Sequence, residues 1–186
     1  MTQSSSPAPS PSLLEAANLS PEAARSILAG AMTGADDGEL FLERAETESL
    51  VFDDGRLKAA SYDAHEGFGL RVVSDETAGY AHSSVVDAAS IGRAAETASL
   101  ATQGRRGIQA EAPPSTNQQL YAPVDPLASP AFSDKIALLS EIDAWARARD
   151  PRVVQVSVSM AGEHRDIEIL RADGRGVRDI RPLVRL

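Results

Sequence analysis

Histidine and glutamate side chains could hold a catalytic metal, and they set the first limit on what this sequence can do. Its histidines are His65, His82 and His164, and it contains no cysteine. His65-Glu66 matches the start of a helical zinc motif, but the second histidine would have to stand at position 69 or 70. Those positions hold Gly69 and Leu70. We therefore predict no metal ligand and no catalytic residue in this chain, and interpret the histidines as surface or sheet residues.

Two further arrangements of residues resemble known motifs, but the residues around them do not match what either motif requires. Gly67-x-Gly69 could begin a dinucleotide-binding loop, yet position 72 is valine and no helix pattern follows the glycines. His82 with Ser83 and Ser84 could form a triad only with an acid. The available acids, which all lie in predicted turns, are Asp53, Asp54, Asp75 and Glu76. Because aspartate in turns forms local hydrogen bonds, we favour a structural role for these residues.

A run of arginines near the end of the chain could contact an anion or a partner. It consists of Arg171, Arg175, Arg178, Arg181 and Arg185. The alternative, which we favour, is the solvated face of a strand pair with acidic counter-charges. The chain carries 27 acidic against 18 basic residues, a net charge of −9. This charge disfavours nonspecific binding to nucleic acid or to an anionic membrane.

The chain has 186 residues, which suits one domain with a core, or a domain plus a tail. Residues 1–12 are rich in serine and proline and lack both a basic head and an apolar run, so we predict a disordered leader followed by one domain, residues 13–186. No stretch approaches the roughly 18 apolar residues needed to cross a bilayer. We predict a soluble protein, and the lack of cysteine is compatible with the cytoplasm.

The element around which the chain is organised is a hairpin within residues 67–82. Apolar residues alternate from Phe68 to Val72, four polar residues intervene, and Gly79-Tyr80 resumes the extended pattern. We place this hairpin at the centre of an antiparallel sheet. Its three glycines, Gly67, Gly69 and Gly79, predict that a helix or a partner packs closely against it.

The remaining patterns predict an α+β fold in which an antiparallel sheet of hairpins is backed by helices. Helices are predicted from Ser12, from Pro21 to Gly34, from Asp87 to about Gln103 and from Ser133 to Asp150. Predicted strands cover residues 39–43, 48–52, 57–62, 152–161, 167–169 and 177–186, with a turn at residues 162–164 and a long proline-rich loop over residues 104–130. Trp145 is predicted to be a core anchor, with Leu138 and Ile142. Because the sequence stops inside an apolar strand, we expect Leu186 to be a truncation point.

Several stretches in this order resemble one family. They are residues 39–41, the Asp54-Gly55 turn, residues 67–72 with 78–81, Tyr121-Ala122-Pro123-Val124-Asp125-Pro126-Leu127 and residues 179–186. Together they resemble the amino-terminal domain of the TldD/PmbA metallopeptidases, also named as modulators of DNA gyrase, and are closest to the TldD branch. The resemblance covers roughly residues 34–186.

The resemblance implies a cytoplasmic zinc peptidase that acts on small or unfolded peptides and pairs with a TldE/PmbA-type relative or with itself. In that family a His-Glu-x-x-x-His helix of a carboxyl-terminal domain holds the zinc, and nothing here matches those ligands. The resemblance therefore implies a scaffold that shapes the peptide channel and is inactive alone. Residues expected to make partner or packing contacts are Gly67, Gly69, Gly79, Tyr80 and Arg181.

Two other functions remain open on the sequence alone. The chain could be a freestanding, non-enzymatic binding module that recognises a protein by its sheet face, or a subunit that regulates an active relative. A His-Glu-x-x-x-His motif encoded downstream of Leu186 would favour the peptidase. A change in the activity of full-length relatives on mixing would favour the regulatory subunit.

Overall fold

A computed structural model describes residues 11–102 and 120–186, and it confirms the predicted α+β class. The helices are α1 (Leu13–Ala16), α2 (Pro21–Ala31), α3 (Ala88–Leu100) and α4 (Phe132–Arg147). The strands are β1 (Asp37–Asp53), β2 (Arg56–Ser74), β3 (Thr77–Ser83), β4 (Ser157–Arg171) and β5 (Gly176–Arg185). They form one antiparallel sheet in the order β3-β2-β1-β4-β5.

Two predicted segments fall wholly or largely outside the described residues. These are the leader, residues 1–12, and the loop over residues 104–130. The predicted division into a leader and one domain stays a prediction. No helix within the described ranges combines the length and the apolar character that crossing a membrane requires.

The strands are longer than predicted, and several predicted breaks are wrong. β1 joins the predicted strands 39–43 and 48–52, and β2 joins the strand 57–62 to the hairpin. Residues 162–164 do not form a turn, because β4 runs through them without interruption. A Cβ atom on Gly162 would lie 2.5 Å from Cδ2 of Leu127, so glycine leaves room there for a neighbouring side chain. Conversely, residues 152–156 precede the strand instead of opening it.

The predicted hairpin is formed by β2 and β3, but it lies at one edge of the sheet and not at its centre. Its register runs from Phe68 opposite Ser83 to Ser74 opposite Thr77. Asp75 and Glu76 connect the strands with φ angles of 47° and 61°. Positive φ at both central residues is the mark of a type I′ turn, whose twist suits a two-residue hairpin. The edge position arises because β4 and β5, which come later in the chain, add on the far side of β1.

Replacing Glu76 by glycine is expected to stabilise the protein. The left-handed conformation costs a non-glycine residue roughly 1–2 kcal/mol, and glycine removes this cost. Part of the gain is lost because the backbone of glycine has more entropy in the unfolded chain. We expect the free energy of unfolding to rise by about 1 kcal/mol in urea denaturation. The matched control is Glu96→Gly, in the exposed interior of α3, which should lower the same quantity by about 1 kcal/mol. Equal effects of the two substitutions would contradict the turn assignment.

Contacts between Cα atoms divide the chain into two compact units. The first contains the described residues of Met1–Glu43, Glu66–Gln118 and Ile167–Asp179. In it, helices α1, α2 and α3 cover one face of the strands. Its core residues are Leu13, Leu14, Leu19, Ala24, Leu28, Ala31, Leu40, Leu42, Phe68, Leu70, Val72, Ile91, Ala94, Ala95, Ala98 and Leu170.

Side-chain caps begin three helices of the first unit at the predicted residues. Ser12 and Glu15 form a reciprocal capping box on α1, and Ser20 accepts a hydrogen bond at the start of α2. Asp87 accepts a 2.6 Å hydrogen bond from the backbone N–H of Ser90, which lowers the pKa of that carboxyl below its usual range. The α2 helix ends at Ala31, before the predicted stop at Gly34, which lies in the following turn with φ 82°.

The second unit contains the described residues of Arg44–His65, Gln119–Asp166 and Ile180–Leu186. Its buried core is small: Leu50, Phe52 and Leu139, with Ile136, Val158 and Met160 packed against it. The buried face of α4 consists of Lys135, Leu139 and Asp143, which are spaced four residues apart.

The predicted role of Trp145 as a core anchor is wrong. Its side chain is 59% exposed, and Leu138 on the same predicted face is 41% exposed. The guanidinium of Arg149 lies 4.2 Å from the centroid of the indole ring, a cation–π contact at the surface. Trp145 therefore lies on the outer face of α4, Leu138 is only partly covered, and a lysine lies on the buried face of the helix.

Candidate functional site

The second unit contains an apolar pocket of about 220 Å³. It lies between α4, the segment that precedes this helix, and the strands β1, β4 and β5. Its lining residues are Glu48, Pro126, Leu127, Ser129, Pro130, Lys135, Leu138, Met160, Gly162 and Val184. Because most of these side chains are apolar, the pocket suits an apolar group better than a charged one.

Three structural features shape this pocket. The carboxylate of Asp125 accepts hydrogen bonds from the backbone N–H groups of Leu127 and Ala128, at 2.8 and 3.3 Å, and so fixes the turn that precedes α4. Gly162 leaves space on β4 that the Leu127 side chain partly fills. Val184, on the outermost strand β5, is 54% exposed at the rim of the pocket. The pocket is therefore open on the side of β5.

A buried ion pair forms the polar part of the pocket wall. Lys135 Nζ donates to Glu48 Oε2 at 2.7 Å and to the carbonyl oxygen of Leu127 at 2.8 Å. The Lys135 side chain is 5% exposed and that of Glu48 is 15% exposed. Glu48 Oε1 is buried and has no hydrogen-bond partner. The pair joins α4 and the segment before it to β1, and it holds the charge of Lys135 inside an apolar wall.

A second, more polar groove of about 310 Å³ shares Glu48 and Gly162 with the apolar pocket. Its other lining residues are Thr47, Ser49, Ala161, Glu163, Leu183 and Arg185. Glu163 forms an ion pair with Arg165. Both openings therefore reach β5, whose outer side has no neighbouring strand among the residues that the structure describes.

The three glycines of the hairpin make close contacts within the chain. A Cβ atom on Gly79 would lie 1.9 Å from the carbonyl oxygen of Ala98 in α3. A Cβ atom on Gly69 would meet the Tyr80 hydroxyl at 2.5 Å, and one on Gly67 would lie 2.9 Å from the carbonyl oxygen of Ser83.

Tyr80 itself is 60% exposed, and its ring stacks on that of His82 with 5.7 Å between centroids. Gly79 thus permits close approach of α3, Gly69 that of the Tyr80 ring and Gly67 that of the backbone at Ser83. A role of this hairpin in contacts with a partner stays a prediction.

The predicted arginine run is spread along β4, β5 and the turn between them. Arg171 donates to both carboxylate oxygens of Asp37 at 3.0 Å, and Arg175 Nε donates to Asp173 at 2.7 Å. Arg178 donates to the carbonyl oxygen of Pro11 at 3.1 Å. Arg181 is exposed on β5, and its predicted partner contact stays a prediction.

The zinc implied by the family resemblance finds no ligand set in the part of the chain that the structure describes. Within residues 11–102 and 120–186, no three side chains of histidine, aspartate or glutamate converge in a way that could hold a metal ion. His82 contacts Tyr80 instead. We therefore assign no catalytic step to these residues.

The ion pair and the pocket were not predicted from the sequence. One signal could have indicated them: Lys135 lies one helical turn before Leu139 and two before Asp143, so two charged residues share the face of a buried leucine. A charge in phase with a buried residue usually requires a partner. The partner, Glu48, is far away in the sequence, so spacing alone could not identify it.

Comparison with known proteins gives two matches to models of one family. The model described as PmbA/TldA metallopeptidase domain 1 matches residues 38–102, and the model of the PmbA/TldA metallopeptidase central domain matches residues 125–186.

Curated relatives and a solved structure agree with these matches. The chain is 36% identical over 154 residues to the metalloprotease TldD homolog of Haemophilus influenzae, covering 81% of this chain and 32% of the relative. It is 31% identical over 152 residues to the homolog of Buchnera aphidicola subsp. Schizaphis graminum, covering 80% and 31%. The chain thus spans about a third of the length of these relatives. The crystal structure of TldE from Thermococcus kodakarensis shares the fold, with a TM-score of 0.65 at 15% identity over 87% of this chain and 37% of that one.

Proposed function

Because the chain belongs to the PmbA/TldD metallopeptidase family, we propose that it is the scaffold and substrate-channel part of a TldD-like zinc peptidase. The proposed substrates are small or unfolded peptides, and the proposed location is the cytoplasm. The observation that supports peptide binding most directly is the apolar pocket at the open edge strand β5.

An extended peptide can use both features at once. Its backbone would form hydrogen bonds with the outer side of β5, which depend little on sequence and so suit unfolded chains of many kinds. Alternate side chains of a strand point to one face, so one apolar side chain could enter the pocket between Leu138 and Val184. The buried Lys135–Glu48 pair would keep the wall of the pocket in place while the peptide is bound.

The proposal assigns the chemical step to other parts of the full-length protein. A zinc ion bound there would supply an activated water for hydrolysis of the peptide bond. This chain would bind and orient the peptide, and a TldE/PmbA-type relative or a second copy would complete the assembly. We expect the chain alone to bind peptides without cleaving them.

The binding step can be tested with one substitution in the pocket and one outside it. Leu138→Glu places a carboxylate at the pocket rim, and Leu100→Glu makes the same change on an exposed leucine at the end of α3. With fluorescently labelled apolar peptides, we expect Leu138→Glu to weaken binding at least about tenfold, which corresponds to about 1.4 kcal/mol. Leu100→Glu should leave binding unchanged. Equal affinities of both variants and the parent chain would refute the pocket as a peptide site.

The inactivity of the chain alone is a separate test. Purified protein is incubated with an unfolded, fluorescently labelled protein and added zinc, with and without a chelator. We expect no fragments in either sample. Cleavage that requires zinc and disappears with the chelator would overturn the division of roles, because residues of this chain would then have to take part in catalysis.

A further inference from the structure

Within the described residues, the wall of the apolar pocket holds one hydrogen-bond donor and one acceptor without a partner. Lys135 Nζ carries three N–H groups, and two of them bond to Glu48 Oε2 and to the carbonyl oxygen of Leu127. Glu48 Oε1 is buried, and no donor from the described ranges reaches it. The remaining N–H and the remaining oxygen therefore belong to the two partners of one ion pair, beside a space of about 220 Å³.

A neutral hydroxyl group would satisfy both atoms. Its oxygen accepts a hydrogen bond from the ammonium, and its O–H donates one to the carboxylate. The two atoms lie near each other, because Lys135 Nζ is 2.7 Å from the other oxygen of the same Glu48 carboxylate. The last torsion of a glutamate side chain is soft, so Oε1 can turn toward an entering group. A charged ligand is disfavoured, since an ammonium would meet Lys135 and a carboxylate would meet Glu48.

The size of the pocket indicates what carries this hydroxyl. An engineered apolar cavity of about 150 Å³ binds one benzene molecule. At about 220 Å³, the pocket has room for one ring with a small substituent. The exposed fraction rises from 4% for Lys135 to 41% for Leu138 and 54% for Val184, so the ion pair lies deeper than the rim. A ring held between the two rim residues would point its substituent toward the pair.

We infer that the pocket binds a phenol, and that tyrosine is the peptide side chain it selects. Tyrosine combines an apolar ring with a neutral hydroxyl group. Phenylalanine would fill the space but leave both polar atoms unsatisfied, and the indole of tryptophan donates but does not accept. Serine and threonine have the hydroxyl without the apolar bulk. The step from phenol to tyrosine rests on the proposed peptide-binding function, and free phenol tests the pocket without it.

Free phenol, toluene and anisole are the probes of the pocket. The chain contains three methionines, so a ¹³C-methyl label gives a resolved signal for Met160 in the pocket wall and a control signal for Met32 in the first unit. A purely apolar pocket would favour toluene, because removing the phenol hydroxyl from water costs free energy. We expect the opposite order, with phenol bound at least about tenfold more tightly than toluene. Anisole should bind more weakly than phenol, because it has no O–H to donate to Glu48.

Each deviation from this order has a defined meaning. Phenol that binds no more tightly than toluene would overturn the inference, while peptide binding through another apolar side chain would still stand. Anisole that binds as tightly as phenol would overturn the role of Glu48 as the acceptor.

Substitutions at the ion pair test which groups recognise the hydroxyl. The double variant Lys135→Met with Glu48→Leu keeps an apolar wall but lacks the donor and the acceptor. We expect it to bind toluene and to lose the preference for phenol. Lys58→Met, which removes an exposed lysine of the same unit, should keep the tenfold preference. A double variant that still prefers phenol would overturn the inference. If it does not fold, the order of the three probes on the parent chain decides.

Two labelled peptides that differ only in a tyrosine or a phenylalanine at one position extend the test to substrates. We expect the tyrosine peptide to bind the parent chain at least about tenfold more tightly than the phenylalanine peptide, and both to bind the double variant equally. Equal affinities for the parent chain would refute the selection of tyrosine. If phenol binds but neither peptide does, the proposed peptide-binding function fails, and with it the selection of tyrosine, while the phenol site stands.

Discussion

Gly79→Ala is expected to lower the free energy of unfolding by about 3 kcal/mol, the upper end of the usual cost of overpacking. The added Cβ atom would lie 1.9 Å from the carbonyl oxygen of Ala98 and 2.7 Å from its carbonyl carbon. Both are backbone atoms, so no side-chain rotation can relieve the clash. Either α3 or β3 must move, and the buried contacts of Ala98 and its neighbours in the core would be lost.

The matched control is the same substitution in the helix that packs on Gly79. A Cβ atom on Gly92 in α3 would meet nothing within 4 Å. Alanine is favoured over glycine inside a helix by up to about 1 kcal/mol, so Gly92→Ala should stabilise the protein. Urea denaturation of both variants measures the two effects. Similar stabilities of Gly79→Ala and the parent chain would show that α3 does not pack on β3 as described.

The sequence predicts those parts of the fold that depend on nearby residues. Ser12, Ser20 and Asp87 each cap a helix, since a cap requires only a short polar side chain and a backbone N–H three residues later. The hairpin turn at Asp75-Glu76 is also predicted from nearby residues, because four polar residues interrupt two extended apolar runs. Local hydrogen bonds and backbone conformations are sufficient to define these features.

Features that depend on distant partners could not be predicted in this way. Polar residues between Glu43 and Glu48 suggested a break in β1, yet pairing with strands on both sides keeps them extended. Apolar periodicity predicts the wrong buried face for α4, because Leu138 and Trp145 are more apolar than Lys135. Lys135 can be buried only because Glu48 and the carbonyl of Leu127 accept its hydrogen bonds. Apolar periodicity carries no information about such a partner.

In the candidate site, too, local features are predicted from the sequence and distant partners are not. The sequence predicts that another group lies close to the glycines of the hairpin. It does not show whether that group is α3, Tyr80 or a partner protein. The sequence does not predict the pocket, because the pocket wall combines residues from α4, from the segment before α4 and from three strands. No short motif connects them, so only the folded structure brings them together.

Lys135→Met is expected to destabilise the protein by about 3–5 kcal/mol, the range found when one partner of a buried ion pair is removed. Methionine replaces the lysine stem with similar apolar volume, so the main loss is electrostatic. The Glu48 carboxylate would lose its 2.7 Å hydrogen bond while its other oxygen already has no partner. The carbonyl of Leu127 would lose a 2.8 Å hydrogen bond as well. Chemical denaturation followed by far-ultraviolet circular dichroism measures the change.

Two comparisons separate the buried charge from the general effect of removing a lysine. Lys58→Met removes an exposed lysine that lies 3.8 Å from Asp53, and we expect a change within about 0.5 kcal/mol. The double variant Lys135→Met with Glu48→Leu removes both buried charges, and most of the lost stability should return because no uncompensated charge remains. If the double variant is as unstable as Lys135→Met, the loss arises from packing and from the Leu127 carbonyl. The ion pair would then contribute little to the wall of the pocket.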